Sequence, residues 1–259
     1  MEKQTVSRDG TPLAYERTGQ GPVVILVSGA LSTGATMAPL AAELSDRFGV
    51  VVYDRRGRGG SGDTPPYAVE REVEDLAALI EAAGGEAALY GVSSGGALAL
   101  RAAASGLPVR RVAVYEVPYA LDDARADERA RYTRELDRAL SEDRRGDAVE
   151  LFLRHTGLGE EVIRGARQAP LWAGLERLAP SLAHDDAVLG DGRPPLSLLA
   201  SVSVPVLALA GEASPGWFHE AARTVAGTVR EGSYRSLERQ THMVEPGVLA
   251  PVLAEFLAG

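Results

Sequence analysis

Short apolar runs of strand length alternate along this chain with alanine- and leucine-rich stretches of helical length. The runs place apolar, often β-branched residues at consecutive positions, which is typical of strands buried on both faces. Such alternation favours an α/β fold, in which helices pack on both sides of a mostly parallel sheet. The predicted strands cover residues 23–27, 50–53, 87–90, 111–115, 206–210 and 228–237, after a hairpin that turns at Asp9-Gly10.

The pattern changes between residues 118 and 203, where strand-like runs give way to helical spacing. Tyr132 and Leu136 illustrate the change, because side chains four residues apart lie on one face of a helix. A segment of this length is too long for a structureless loop inside a compact domain. We therefore expect a core of residues 1–117 and 204–259, interrupted by a helical insertion over residues 118–203.

Residues 91–95, with the sequence Gly-Val-Ser-Ser-Gly, follow a predicted buried strand and precede a predicted helix. In a G-x-S-x-G turn the central serine is held on a sharp bend, which closes only when the residues two positions away are small. This register selects Ser93, because a nucleophile at Ser94 would put Val92 where glycine is needed. The motif also occurs in plain Ser-Gly turns, but its strand–turn–helix context favours a catalytic nucleophile.

An acyl-transfer enzyme needs two backbone donors for the developing oxyanion, one after the nucleophile and one from an early loop. The sequence Ser28-Gly29-Ala30 directly follows the first buried strand, and Ser94 directly follows Ser93. The backbone N–H groups of Ala30 and Ser94 are therefore the candidate oxyanion-hole donors. An ordinary turn at the end of a strand would look the same, so this interpretation depends on the serine motif.

His242 is the expected general base, because it alone among four histidines follows the whole predicted sheet. That position gives the chain order of nucleophile, acid and histidine found in enzymes with a serine on a strand–helix turn. His155 and His184 lie in the helical insertion, and His219 lies at the start of a helix, where a packed or exposed histidine is expected. A lone histidine is more often structural, but the placement of His242 favours catalysis.

Charge and composition restrict the partners. The formal net charge of −9 disfavours nucleic acid and anionic membrane surfaces. There is no cysteine, no histidine pair has metal-ligand spacing, and no strand precedes a G-x-G-x-x-G turn, so neither metal nor nucleotide cofactor is expected. The polar residues 1–4 and the lack of a membrane-length apolar run favour a cytoplasmic protein. The expected partner is a small-molecule substrate.

Several motifs follow one another in a fixed order over nearly the whole chain outside the helical insertion. They are residues 28–30, 54–61, 91–95, 204–206 leading to Gly211-Glu212, and 240–242. In this order they resemble the α/β-hydrolase fold family, in particular its small, capped serine hydrolases of actinobacterial type. The resemblance implies a mostly parallel eight-stranded sheet flanked by helices, a helical cap over Ser93, and hydrolysis through a covalent acyl-enzyme. The family's loop matching residues 54–61 is mainly structural, and we expect a solvated charged turn there.

Two positions depart from the family's usual pattern. Ser28 stands where members usually have a histidine that braces the oxyanion loop, and Ser214 stands where they usually have the acid, three residues after Gly211. A hydroxyl cannot stabilise an imidazolium by charge. Glu116, at the end of the strand after the serine motif, is the expected replacement. Glu212 is the alternative acid, and a third possibility is that no acid functions. Without a catalytic role, Glu116 would be an exposed strand-end charge.

These residues predict a serine hydrolase that cleaves an ester, thioester or lactone through an acyl-enzyme on Ser93. The same residues could instead serve carbon–carbon bond hydrolysis or cofactor-free perhydrolysis, and the fold could also carry a non-catalytic binding protein. Apolar side chains near and within the insertion favour a hydrophobic substrate, although their helical spacing equally suits the insertion's own core. They are Tyr119, Phe152, Leu153, Leu171, Trp172 and Leu175.

Overall fold

The apolar runs form an eight-stranded sheet in the computed structural model, which describes residues 3–259. Met1 and Glu2, part of the polar start of the chain, lie outside the described residues. The strands are β1 (Lys3–Val6), β2 (Pro12–Thr18), β3 (Val23–Val27), β4 (Gly49–Tyr53), β5 (Ala87–Val92), β6 (Val109–Tyr115), β7 (Val206–Gly211) and β8 (Gly232–Leu237). Their spatial order is β1-β2-β4-β3-β5-β6-β7-β8, and only the pairs that involve β2 are antiparallel. The predicted mostly parallel α/β sheet is confirmed.

Helices cover both faces of this sheet. Together with the helices of the segment between β6 and β7, they are α1 (Ala38–Leu44), α2 (Val69–Ala83), α3 (Ser94–Ala104), α4 (Asp123–Ser141), α5 (Arg145–His155), α6 (Glu160–Arg167), α7 (Trp172–Leu178), α8 (Leu182–Leu189), α9 (Leu196–Ser201), α10 (Gly216–Thr228) and α11 (Pro246–Ala258). Ile25 of β3 belongs to the apolar cluster that includes Leu98 of α3, whereas its neighbour Leu26 belongs to the cluster that includes Leu253 of α11. Alternate residues of a strand therefore supply two separate cores.

The segment between β6 and β7 is helical and has an apolar core of its own. Helices α4 to α9 follow one another there, and the structure, which describes all of residues 118–203, has no strand among them. Tyr132, Leu136 and Trp172 are buried in this third core. Ala30 and Leu31, from the loop after β3, pack against the same core. The helical segment therefore contacts the loop that carries a candidate oxyanion donor.

The three arginines of the charged loop at residues 54–61 are buried, contrary to the prediction of a solvated charged turn. Arg55, Arg56 and Arg58 are 0%, 0% and 2% exposed. A buried charge is costly unless it is paired and hydrogen-bonded, and each guanidinium here is paired with carboxylates from distant parts of the chain. The partners are Glu72 and Asp185 for Arg55, Asp9 and Asp75 for Arg56, and Asp185 for Arg58.

The last strand is shorter than predicted. Thr228 is the final residue of α10, and β8 begins only at Gly232. Thr228 and Val229 are β-branched and suit a strand in isolation, but the extended backbone of Val229 ends the helix instead. Among residues 3–259, no helix has both the length and the apolar character that a bilayer crossing requires.

Candidate active site

Ser93 lies on the turn between β5 and α3, with φ 54° and ψ −126°. A residue other than glycine in such a conformation stores about 1–3 kcal/mol of strain, and strain of this kind clusters at functional sites. The turn closes because its neighbours lack side chains. A Cβ on Gly91 would collide with the Gly95 carbonyl, and a Cβ on Gly95 would collide with the Val27 carbonyl. The Ser93 N–H donates to the Tyr115 carbonyl at 2.9 Å, which joins the turn to the end of β6.

The loop after β3 approaches the side chain of Ser93. A Cβ built on Gly29 would lie 3.2 Å from the Ser93 Cβ and 3.8 Å from its Oγ. Ala30 follows Gly29, and its N–H makes no hydrogen bond to any residue within 3–259. Ser94 is the first residue of α3, where backbone N–H groups have no acceptor within the helix. The segments that carry both predicted oxyanion donors thus lie next to Ser93.

His242 follows β8, and its Nδ1 lies 2.7 Å from Oε2 of Glu116. Glu116 follows β6 with φ 46°, a backbone conformation that is uncommon outside glycine and asparagine. Its other carboxylate oxygen accepts a hydrogen bond from the Gly211 N–H at 2.8 Å. The Glu116 side chain is 0% exposed, whereas the imidazole is 41% exposed. The alternative of an exposed strand-end charge at Glu116 is therefore wrong: a buried carboxylate faces an accessible imidazole.

Tyr115 holds the backbone beside the histidine. Its phenol donates to the Thr241 carbonyl at 2.5 Å, and its own carbonyl accepts from the Ser93 N–H. Burial, followed by the nearby Glu116 charge, raises the pKa of Tyr115, so the phenol remains a donor at neutral pH. The sequence does not reveal this role, because a tyrosine in a buried strand is ordinarily a core residue.

The other candidate acids have different partners. Glu212 is exposed, and its carboxylate accepts from the Arg239 N–H at 3.0 Å. Ser214 is buried, and its hydroxyl has no hydrogen-bond partner among the described residues. Neither side chain hydrogen-bonds His242 in the part of the chain that the structure describes.

Aromatic rings extend from the histidine toward the helical segment. The Phe218 ring stacks on His242 with a centroid distance of 5.3 Å and an interplanar angle of 17°. Trp217 stacks on Phe218 at 3.7 Å, and the guanidinium carbon of Arg125 lies 4.5 Å from the Trp217 ring centroid. Arg125 belongs to α4, so this stack joins the imidazole to the first helix of the insertion. Only the adjacent pair of large aromatics after β7 hints at it in the sequence.

The remaining histidines have partners of their own. His155 stacks on Tyr132 and His184 stacks on Tyr67. Burial lowers the pKa of both histidines. His219 lies with its Nδ1 2.7 Å from the hydroxyl of Tyr234. Each of the three is therefore held by a neighbouring tyrosine, which agrees with a structural role.

A buried ionic cluster lies behind the nucleophile turn. Asp185, on α8, accepts from the Ser94 hydroxyl and from Arg55 at 2.7 Å each, and Nη2 of Arg58 lies 2.8 Å from both of its oxygens. Burial acts to raise the pKa of Asp185, but the guanidinium groups of Arg58 and Arg55 outweigh it and hold the pKa below its usual value. The helical segment thus supplies a charge that contacts a candidate oxyanion residue.

The apolar set predicted for substrate binding is divided between three environments. Tyr119 is buried in the sheet core. Phe152, Leu153 and Trp172 pack within the core of the helical segment. Leu171 is 60% exposed. Leu171 and Leu175 line a cleft of about 490 Å³, whose other lining residues are Thr33, Gly57, Gly59, Gly174, Arg177 and Leu178.

A strained serine between a parallel strand and a helix, with a histidine and a carboxylate after later strands, is the arrangement of an α/β hydrolase. The model of the alpha/beta hydrolase family matches residues 24–250. The chain therefore belongs to the alpha/beta hydrolase family and is an enzyme of the hydrolase class.

Similar proteins agree with this assignment. The 2-(acetamidomethylene)succinate hydrolase of Mesorhizobium japonicum is 33% identical over 212 residues, which are 78% of this chain and 74% of that protein. The crystal structure of an alpha/beta hydrolase from Sphaerobacter thermophilus has a TM-score of 0.90 and 51% identity, covering 98% of this chain and 99% of the other. A malate-bound thermophilic esterase from Thermogutta terrifontis has a TM-score of 0.74 and 25% identity, covering 100% and 98%.

Proposed function

We propose that this chain is a serine hydrolase that cleaves an ester, thioester or lactone through an acyl-enzyme on Ser93, with His242 as general base. The observation that carries the proposal is the pairing of the buried Glu116 carboxylate with Nδ1 of the accessible His242 at 2.7 Å. A carboxylate in this position fixes the imidazole tautomer and stabilises the imidazolium that forms during attack.

Acylation begins at the imidazole nitrogen that does not face Glu116. Nε2 of His242 takes the Ser93 hydroxyl proton while the serine oxygen attacks the acyl carbon. The carbonyl oxygen becomes an oxyanion, which the N–H groups of Ala30 and Ser94 stabilise. The tetrahedral adduct then expels an alcohol, a thiol or, from a lactone, the tethered hydroxyl, which receives the proton from His242.

Deacylation repeats these steps with water as the nucleophile. His242 takes a proton from water, the hydroxide oxygen attacks the acyl carbon, and the second tetrahedral adduct expels the Ser93 oxygen. The serine recovers its proton from the imidazolium, and a carboxylic acid leaves. No redox step and no cofactor enters this cycle.

The proposal assigns residues 1–117 and 204–259 to the catalytic core and residues 118–203 to a cap over Ser93. Three contacts support the assignment, and each joins the helical segment to a part of the site. The core of the helical segment packs on Ala30 and Leu31, Asp185 accepts from the Ser94 hydroxyl, and Arg125 stacks on Trp217.

A small hydrophobic acyl group fits the surface beside the histidine. Met243, the next residue, is 85% exposed, and the stacked rings of Trp217 and Phe218 adjoin the imidazole. Apolar surface beside reacting groups gains free energy when a hydrophobic substrate covers it. A second candidate substrate is 2-(acetamidomethylene)succinate, the compound in the name of the relative from Mesorhizobium japonicum. The 33% identity to that relative over 78% of this chain favours it.

Covalent labelling tests the nucleophile. A fluorophosphonate probe should attach to wild-type protein, and peptide mass mapping should find the adduct on Ser93. Ser93→Ala should lose labelling and turnover while its circular dichroism is unchanged. Ser105→Ala is the matched control, because Ser105 is an exposed serine at the other end of the same helix. Labelling that persists in Ser93→Ala would refute the assignment.

A substrate screen tests the reaction class. We expect the highest kcat/KM on p-nitrophenyl esters and thioesters of medium acyl length, with Ser93→Ala as the blank. The same plate should hold a lactone series, 2-(acetamidomethylene)succinate, a carbon–carbon hydrolase substrate and a perhydrolysis assay. Turnover confined to 2-(acetamidomethylene)succinate, the carbon–carbon hydrolase substrate or the perhydrolysis assay would contradict the ester assignment.

The cytoplasm is the proposed compartment, and a small molecule is the proposed partner. A chain with no cysteine gains nothing from an oxidising environment. Fractionation of the source cells should recover the protein with cytoplasmic markers, and recovery outside the cytoplasm would refute this part of the proposal.

A further inference from the structure

The carbonyl of Gly29 and the N–H of Ala30 belong to one peptide unit. Because that unit is planar and trans, its C=O and N–H bonds point in opposite directions. Arg58 donates from Nη1 to the Gly29 carbonyl at 2.5 Å, and the Ser32 hydroxyl donates to the same oxygen at 2.6 Å. Whatever fixes this carbonyl therefore also fixes the direction of the N–H that serves as an oxyanion donor.

Buried contacts alone determine where the Arg58 guanidinium points, since the residue is 2% exposed. Its Nη2 lies 2.8 Å from both oxygens of Asp185. The same carboxylate accepts from the hydroxyl of Ser94, the residue of the second oxyanion donor, at 2.7 Å. One acidic side chain of α8 thus contacts Ser94 directly and reaches the Gly29–Ala30 peptide through Arg58.

The positive charge of Arg58 affects the Gly29–Ala30 peptide in addition to this geometry. A hydrogen bond from a cation to a carbonyl is stronger than one from a neutral donor, and hydrogen bonds in series polarise one another. The Arg58 guanidinium therefore makes the Ala30 N–H a better donor, because both bonds belong to one delocalised peptide group. In a site shielded from water such fixed dipoles stabilise developing negative charge most effectively.

We propose that Arg58 is a positioning residue for the oxyanion hole, acting through the Gly29–Ala30 peptide, and that Asp185 holds Arg58 in this role. The inference rests on the proposed function, because the direction of the Ala30 N–H matters only if an oxyanion forms beside Ser93. The loop at residues 54–61 thereby takes part in the reaction, whereas the family resemblance implied a mainly structural role for it.

Arg56 provides a matched control. It is 0% exposed, and it donates to the carboxylates of Asp75 and Asp9 and to the Arg71 carbonyl. None of these partners belongs to the oxyanion loop. Replacing Arg56 therefore removes an equally buried guanidinium from the same loop and leaves the Gly29–Ala30 peptide untouched.

The experiment compares Arg58→Lys, Arg58→Gln and Asp185→Asn with Arg56→Gln. Values of kcat and KM are measured on the best ester and expressed per site titrated with fluorophosphonate. A trifluoromethyl ketone is the second probe, because the Ser93 oxygen adds to its carbonyl carbon, the proton moves to His242, and the ketone oxygen becomes a bound oxyanion. A role confined to stability would change neither kcat per titrated site nor the affinity for this ketone.

We expect Arg58→Gln to lower kcat by about 10- to 100-fold, somewhat less than the loss of a whole oxyanion donor. KM should stay within about twofold, and affinity for the ketone should fall by about the same factor as kcat. Arg58→Lys should fall in between, since an ammonium cannot bridge Gly29 and Asp185 as a planar fork does. Arg56→Gln should keep both values even if its melting temperature drops.

Unchanged kcat per titrated site in folded Arg58→Lys would overturn the inference, as would an equal loss in Arg56→Gln. If Arg58→Gln does not fold, Arg58→Lys and Asp185→Asn decide, because both keep a polar group in the same place. Failure of the proposed function gives a different result: wild-type protein would then not be labelled at Ser93, or Ser93→Ala would keep its turnover.

Discussion

The phenol oxygen of Tyr115 lies 2.5 Å from the carbonyl oxygen of Thr241, so the residue before the buried carboxylate holds the residue before the histidine. Two consecutive residues at the end of β6 thus fix the same loop in two ways. Tyr115 binds its backbone, and Glu116 binds the imidazole of His242. Their adjacency means that any shift of the end of β6 moves both contacts together.

Removal of the Tyr115 hydroxyl should reduce kcat strongly and the free energy of unfolding only slightly. We expect Tyr115→Phe to lower kcat by about tenfold or more, because small misplacements of a catalytic group are costly. The free energy of unfolding should fall by only about 0.5–1.5 kcal/mol, the net worth of one hydrogen bond. Tyr53→Phe is the control, since the buried Tyr53 hydroxyl has no hydrogen-bond partner among residues 3–259. Full activity in Tyr115→Phe would contradict the prediction.

Neutralisation of Glu116, which follows β6, should reduce kcat far more than neutralisation of Glu212, which follows β7. Glu116→Gln should lower kcat by about 10⁴-fold, the typical loss when the carboxylate that orients a catalytic histidine is neutralised. Glu212→Gln should lose far less, because its carboxylate is exposed and accepts from the Arg239 N–H. Steady-state kinetics on the best ester measure both variants. The reverse order of losses would assign the acid role to Glu212.

Replacement of glycine by alanine should be tolerated at Gly165 and not at Gly95. Gly95→Ala should abolish turnover, because the added Cβ would collide with the carbonyls of Val27 and Ser28. Gly165→Ala should instead raise stability by about 0.5–1 kcal/mol, since Gly165 lies inside α6 with open space around it. Thermal unfolding and ester turnover are measured for each. An active Gly95→Ala variant would contradict the prediction, because the turn would then have accommodated the added Cβ.

The ionic cluster should make stability depend on pH in the acid range. Burial acts to raise the pKa of Glu72, but Arg55, at 2.7 Å, outweighs it and lowers the pKa below the usual 4.5. A carboxyl whose folded pKa is depressed contributes stability above its unfolded pKa, and that contribution is lost as the pH falls through the folded pKa. The free energy of unfolding should therefore decrease on acidification below about pH 4.5.

Urea unfolding between about pH 6 and pH 3 measures this slope. Glu72→Gln removes the titrating group, so its free energy of unfolding should fall less steeply with acid than that of wild type. Glu161→Gln, an exposed position on α6, should keep the wild-type slope. Equal slopes in wild type and Glu72→Gln would contradict the prediction.

Much of the sheet is predictable because its central strands need apolar residues at every position. Residues 23–27 match β3 at both ends, since solvent reaches neither face of this strand. The prediction for residues 228–237 is wrong at its start, because Thr228 and Val229 suit a strand as well as the end of a helix. Local sequence cannot separate these two environments; the packing of α10 decides between them.

The environment of the loop at residues 54–61 could not be predicted, because its partners are distant in sequence. Arg55 pairs with Glu72, 17 residues away, and with Asp185, 130 residues away. Read along the chain, three arginines in one loop indicate solvent exposure. Only the folded chain places acids around them. The contact between Glu116 and His242 could be anticipated for the opposite reason, since parallel strands end at one edge of a sheet.

The stack from Arg125 to His242 gives the enzyme a built-in optical reporter. Trp217 lies between a cation of α4 and the ring of Phe218, so we expect its fluorescence to respond when either neighbour moves. The other of the two tryptophans, Trp172, is buried in the core of the helical segment. A substrate that moves Arg125 would change the emission of Trp217 on the timescale of binding. Substrate binding near this end of the helical segment should therefore be detectable in the unmodified protein, without an added dye.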